Sequence, residues 1–162
     1  MDPALVHHYF DGKAALFIEI LQLARDPAEV VLEVDRYAGQ AGHGQALATK
    51  FLQLWEPRGP GSPSPFVTAV QAVSASPEAA EGLREFLAER VWSRAGMHQD
   101  VDERPLRRAH IASLLFGMAW NRYLLRLEPF ASASVDELAA WIGPTLDRFL
   151  SGPLPEQTRL AD

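Results

Sequence analysis

Cysteine is absent from this sequence, which excludes a disulfide framework and every thiolate metal site and fits a reducing compartment such as the cytoplasm. Also missing is any run of about 18 apolar residues free of charge, the length a membrane-spanning helix needs. The N-terminus, Met1-Asp2-Pro3, lacks the basic stretch that opens a secretory leader. Positive charge is scarce: 15 Lys and Arg stand against 21 Asp and Glu, for a net charge of −6, so bulk electrostatics do not favour nucleic acid. Alternation of apolar and polar residues, the mark of a strand, is hard to find, and so are internal repeats and low-complexity blocks. What is present is an ordinary globular composition, 48% hydrophobic and 22% charged over 162 residues. A chain of this length buries roughly two thirds of its unfolded surface around one core, without staples.

Helix start signals recur along the chain, each followed by apolar residues three and four apart, so the expected class is all-α. Asp2-Pro3 caps a short helix to about Phe10, which Asp11-Gly12 breaks. A second helix over residues 13–24 aligns Leu16, Phe17, Ile20, Leu21 and Ala24. Asp26-Pro27-Ala28-Glu29 reads as a capping box ahead of Val30, Val31 and Val34. After a Gly-rich loop at 39–44, Leu47, Phe51, Leu54 and Trp55 share one helix face. The four prolines and two glycines of residues 57–65 make a linker, and Ser64-Pro65 and Ser76-Pro77 reopen two nearly continuous helices. From about Asp102 a long helix follows, apolar on most sides over 111–127 except at Asn121, Arg122 and Arg126. Ser134-Val135-Asp136-Glu137 is a second capping box, opening a last helix that Gly143-Pro144 is expected to kink and Gly152-Pro153 to end.

Catalysis finds no constellation to work with. His7 and His8 are adjacent and point about 100° apart on a helix, and no His or Glu spacing assembles a metal set. No Gly-rich phosphate loop and no nucleophile elbow occurs, and the serines of Pro60-Gly61-Ser62-Pro63-Ser64 stand in a loop without partners. The expectation is therefore a non-enzyme with no cofactor and no metal. Two features do invite a functional reading. In the first, paired His beside Tyr9, then a turn and Lys13, sets several donors and a cation near one short helix. Phosphate oxygens suit such donors, and a surface helix with incidental histidines explains them equally well.

The string Asp2 to Phe17 resembles the end of the helix-turn-helix in tetracycline-repressor-type (TetR) transcriptional regulators. There a recognition helix closes on an aromatic/His cluster and Phe, followed by a turn, Lys and a Leu-rich helix. His8-Tyr9-Phe10, Lys13 and Leu16 fit that pattern, and His7 stands where the family most often has Tyr. Leu127-Glu128-Pro129-Phe130-Ala131 and Gly143-Pro144-Thr145-Leu146 resemble the regulatory domain of the same family. The resemblance implies phosphate contacts at His7 and Lys13, and base-edge or backbone contacts at Ala4, Leu5 and His8. It also implies two helices ahead of the recognition helix. Met1 stands where an internal Val is expected, which reads as a Val codon taken as a start or a shortened chain, so operator DNA is an expected partner only when those helices are present.

Aromatic density in the central helices is the second feature: Trp55, Phe66, Phe86, Trp92, Phe116, Trp120 and Tyr123. Core packing explains any one of them. The family implies a pocket for a small apolar effector, with Trp55, Phe66, Phe86, Trp92 and Trp120 as lining and His110, Met118 and Asn121 as contrast. Asn121 equally suits an interhelical hydrogen bond. The last two long helices carry more apolar face than one domain of this size covers, so a homodimer is expected through Leu114, Leu125, Leu138, Ile142, Leu146 and Phe149, with Arg122 and Arg126 at the rim. The whole reads as three parts: residues 1–24, a remnant recognition helix and connector; 25–152, a ligand-binding and dimerisation domain; and 153–162, a flexible tail. The expected function is a ligand-responsive regulator, a repressor, in the cytoplasm and away from membranes. The competing reading is a stand-alone helical module that binds a small molecule and never touches DNA.

Overall fold

A computed structural model describes Leu21, Leu23 and residues 25–95 and 103–154 of the chain. Over these residues there are six α-helices and no strand. The expected contacts of Ala4, Leu5, His7, His8 and Lys13, and most of the tail, lie outside the described residues.

Helix α1 (Pro27–Asp35) starts where Asp26 accepts the Ala28 N–H at 2.8 Å, with Pro27 in the first turn. The capping box expected here is only half made. The carboxylate meets Ala28 rather than Glu29, whose N–H goes to the Asp26 backbone carbonyl at 3.1 Å and whose side chain stays at the surface. Helix α2 (His43–Trp55) follows Gly42, whose φ of 86° suits a residue without Cβ, and has no local side-chain cap. Its cap comes from far along the chain: Asp147 Oδ1 accepts the Gly44 N–H at 2.6 Å.

Ser64 and Ser76 open α3 (Pro65–Ala75) and α4 (Pro77–Phe86) by accepting the N–H groups of Phe66 at 3.1 Å and Ala79 at 3.2 Å. The buried Ser64 hydroxyl also donates to the Trp55 carbonyl at 2.5 Å, tying the end of α2 to the start of α3. Helix α4 then widens over Leu87–Trp92, where the Ser93 N–H reaches back five residues to Ala88 at 3.0 Å. Helix α5 (Arg104–Ala119) widens the same way over Trp120–Leu124, so the long helix read from sequence ends in a π-type turn. Arg126, at a left-handed φ of 53°, turns the chain away. The second capping box is complete at α6 (Val135–Ser151): Ser134 accepts from Glu137 N–H at 3.2 Å, and the Glu137 carboxylate accepts from Ser134 N–H at 2.8 Å. Those bonds hold the Glu137 carboxyl below the usual carboxylate range.

The core centres on Leu52, Phe86, Leu138 and Leu146, and its closest crossing is α2 against α6. A Cβ on Gly44 would overlap the Gly143 carbonyl and lie 2.7 Å from the Asp147 nitrogen, while one on Gly143 would lie 3.0 Å from the Gln45 backbone. Glycine at both positions lets the two backbones touch. Helix α6 runs on through Pro144, and the exposed surface at Ala140 lets water take the carbonyl that the missing N–H frees. Two arginines hold the ends together. Buried Arg107 donates to Glu103 at 2.6 and 2.9 Å and to the Phe149 and Gly152 carbonyls at 2.8 and 3.0 Å, satisfying the last turn of α6. Arg122 donates to Glu56 at 2.9 Å and to the Phe130 and Ala133 carbonyls at 2.8 Å each. Tyr123 donates to the same Glu56 oxygen at 2.9 Å, and burial, with the Glu56 charge, pushes its phenol well above the ordinary tyrosine value. No helix among the described residues is long and apolar enough to cross a membrane.

Candidate functional site

Between α1, α2, the wide turn after α4 and the first half of α5 lies a cavity of about 110 Å³. Its shape follows from four helix stripes. α1 contributes Val30, Val31 and Val34, and α2 contributes Leu47, Phe51, Leu54 and Trp55 at helical spacing. The wide turn presents Leu87, Val91 and Trp92, and α5 presents Arg108, Ile111, Ala112 and Leu115. A π-type turn has one more residue per closure than an α-turn, so it re-aims the side chains that follow. At Leu87–Trp92 that places both Val91 and Trp92 on the wall.

The lining is apolar with a few polar exceptions. Trp55 is buried, and its indole Nε1–H finds no acceptor among the described residues. Arg108 donates through Nη2 to the Ala95 carbonyl at 3.0 Å and lies 6.0 Å from the centre of the Trp92 ring, while its buried Nε–H has no acceptor among the described residues. Burial holds the Arg108 guanidinium below its ordinary value, with the like charge of Arg104 adding to the effect. Asp35 and the buried His43 complete the polar part of the wall. Among the described residues no three His, Asp or Glu side chains converge as a metal ion would require.

Of the residues that the sequence singles out for a pocket, Trp55, Phe86 and Trp92 line this cavity. The others sit elsewhere. Phe66 packs edge-on to Trp55 at 5.6 Å and stacks on Phe116 at 6.0 Å, inside an aromatic cluster that continues to Tyr123. Met118 is buried in the core, and His110 stacks on Phe149 at 4.6 Å with its Nδ1 2.8 Å from the Leu106 carbonyl. Trp120 is exposed, and among the described residues the Asn121 side chain donates to Gly117 of its own helix at 2.9 Å rather than to another helix. The sequence reading places the valines of α1 and the Leu47–Leu54 stripe on helix faces without assigning them to a pocket, and it misses His43 and Arg108. Arg108 carries a legible signal: it stands three, four and seven residues before Ile111, Ala112 and Leu115, a lone cation on an apolar stripe.

The residues expected at a dimer interface also divide. Leu138 and Leu146 are 1% and 0% exposed within the single chain, so they are core and offer no area to a partner. Leu114, Ile142 and Phe149 are half-buried. Leu125 is exposed, and so are Trp120, Leu127 and Trp141.

The described residues thus form an all-helical domain with an apolar cavity walled by several of its helices. Residues 41–150, more than half of the chain, match the tetracyclin repressor-like C-terminal domain. The chain belongs to the TetR family of transcriptional regulators. The crystal structure of a TetR-family regulator from Streptomyces coelicolor A3 is similar, with a TM-score of 0.56 and 25% sequence identity over 93% of this chain and 77% of that one. No curated protein matches the chain.

Proposed function

We propose that this regulator is ligand-responsive and acts as a repressor, taking a small apolar effector into the cavity between α1, α2 and α5. The observation that carries the reading is the cavity itself: about 110 Å³ of concave space lined almost wholly by apolar side chains from several helices, the kind of lining small-molecule sites have. Helix α1 forms one wall and follows directly on the connector at residues 13–24, so an occupant that reseats Val30 and Val34 acts on the segment leading to the DNA-reading end. A ligand shifts that equilibrium only by its differential affinity for the two states. Operator contacts are assigned to Ala4, Leu5, His7, His8 and Lys13. Homodimerisation is assigned to the face that carries exposed Leu125 and Trp141 and half-buried Leu114 and Ile142, because a contiguous apolar patch marks a partner surface.

The test is a gel-shift titration of operator DNA with protein from the full reading frame, with and without a cavity ligand. Release of DNA by the ligand supports the reading. Equal ligand affinity for free and DNA-bound protein rejects it. Leu125→Glu with Trp141→Glu should leave a monomer by sedimentation, and an unchanged dimer would move the interface elsewhere.

A further inference from the structure

A second concavity opens where the end of α2 and the linker after it meet the wide turn that closes α5. It is an open groove of about 600 Å³, large enough for a drug-sized molecule, and it shares no lining residue with the effector cavity. Pro63, Val67 and Leu124 give it apolar wall, and three charged groups stand beside them: Glu56, Arg122 and Arg126. Two of the three cancel. Glu56 pairs with Arg122 at 2.9 Å, and the remaining Arg122 donors go to the Phe130 and Ala133 carbonyls. Arg126 is left over. Among the described residues it makes no hydrogen bond or ion pair, and the carboxylate two residues on, Glu128, accepts the Ser132 hydroxyl at 2.5 Å instead.

The backbone says that this cation does not serve the fold. Arg126 has a φ of 53°, and the Leu127 N–H closes behind it on the Asn121 carbonyl at 2.9 Å, so it occupies the left-handed stop at the end of a helix. Glycine is the usual occupant of such a stop, because any Cβ crowds the following carbonyl. Here a long, exposed cation holds the position at some loss of stability. A residue that strains its own turn and binds nothing around it points to a contact from outside the chain.

We propose that this groove is a second ligand site, taking an organic monoanion whose charge meets Arg126 and whose apolar body lies on Pro63, Val67 and Leu124. One uncompensated positive charge on the wall calls for one negative charge on the ligand. Bulk attraction does not bring an anion to a chain of net charge −6, so the local pair must do it. A guanidinium can take a carboxylate through two parallel N–H donors, which orients the ligand as well as holding it. The site stands apart from the effector cavity and does not depend on that cavity's being occupied.

Naphthoate and naphthamide test it, since they share a two-ring body and differ in charge. That body is too large for the effector cavity: a single benzene ring fits an apolar cavity of about 150 Å³, and this one has about 110 Å³. By calorimetric titration of protein from the full reading frame at low salt, naphthoate should bind at least about tenfold tighter than naphthamide. Arg126→Gly should remove that preference while its melting temperature equals or exceeds that of the wild type, a pair of changes that a merely structural residue does not give. Arg58→Ala takes a positive charge from the exposed linker, off the groove wall, and should leave naphthoate binding unchanged. Equal affinity for acid and amide in the wild type overturns the site, and so does undiminished naphthoate binding by Arg126→Gly. An equal loss in Arg58→Ala overturns it as well, by reducing the effect to general charge. An Arg126→Gly protein that melts lower, or sediments as a smaller species, does the same, because Arg126 then serves the fold or a second copy of the chain.

Discussion

Helix α2 shows two faces built on opposite principles. Toward α6 it presents Gly44 and Gln45 at a crossing so close that Gly143 leaves no room for one methyl group. Toward α1 and α5 it presents Leu47, Phe51, Leu54 and Trp55, large side chains that still leave a cavity between them. Small residues give contact without slack, and large residues on four separate elements give slack despite their bulk. A packed interface resists continuous deformation, so the α2–α6 pair serves as a fixed frame. Any response to a ligand then falls on the elements facing the frame, α1 and the wide turn at Leu87–Trp92.

Adding methyl groups to each face is the sharpest way to break that comparison. Gly44→Ala forces backbone against backbone, and overpacking of this sort costs about 3 kcal/mol or more, read as a loss of urea midpoint. The same change at Gly117, where a Cβ meets nothing within 4 Å, should instead stabilise by about 0.5–1 kcal/mol through helix propensity. A Gly44→Ala protein as stable as the wild type would show that the crossing has slack after all.

Next in size is Arg107→Met, also on the frame. It removes the donors that satisfy the Phe149 and Gly152 carbonyls and leaves Glu103 without its partner. The Glu103 side chain is 43% exposed and can rehydrate, so the expected loss is about 2 kcal/mol, set by the two carbonyls. Thermal melting should show it, and ligand affinity should hardly move.

On the cavity face the sign reverses. Ala112→Leu places three carbons where the wall has space, and cavity filling is neutral to stabilising by about 1 kcal/mol. It should also abolish binding of any ligand that needs the same volume. A clear destabilisation would mean that the space is already occupied by side chains in solution, and the contrast between the two faces would fail.

How much of this could be read from the sequence depends on whether the signal is local. Ser64, Ser76 and the Ser134–Glu137 box mark helix starts because a cap is a contact between neighbours, and all three hold in the structure. Asp147 caps α2 from 103 residues away, and no local pattern announces it. The two π-type turns leave no sequence mark at all. Periodicity assigns Trp55 and Phe66 equally to an inward face, yet one borders the cavity and the other fills the core. A cavity is a shortfall of volume summed over four elements, and stripes report direction without reporting fill. The same limit explains Leu138 and Leu146, which read as surplus apolar face until α2 covers them.

The smallest expected effect concerns how the cavity's outer wall is fastened. Glu33 of α1 accepts from Arg25, with Nη1 at 3.0 Å, and pairs with Lys50 of α2 at 3.1 Å, so one carboxylate pins α1 to the frame. The hydrogen bond from Arg25, then that from Lys50, brings the Glu33 carboxyl down to about 2 from its ordinary 4.5. A lowered folded value means that the unfolded chain binds the proton first. The tether therefore contributes fully above pH 4.5 and is lost as pH falls toward 2. Solvent and salt screen it throughout, because the site is at the surface. Wild type should accordingly lose melting temperature faster than Glu33→Gln between those two pH values, with the gap narrowing in 1 M salt. If the two proteins fall in parallel, α1 is held by its buried Pro27, Ala28, Val30 and Val34, and this wall of the cavity rests on apolar contact rather than on charge.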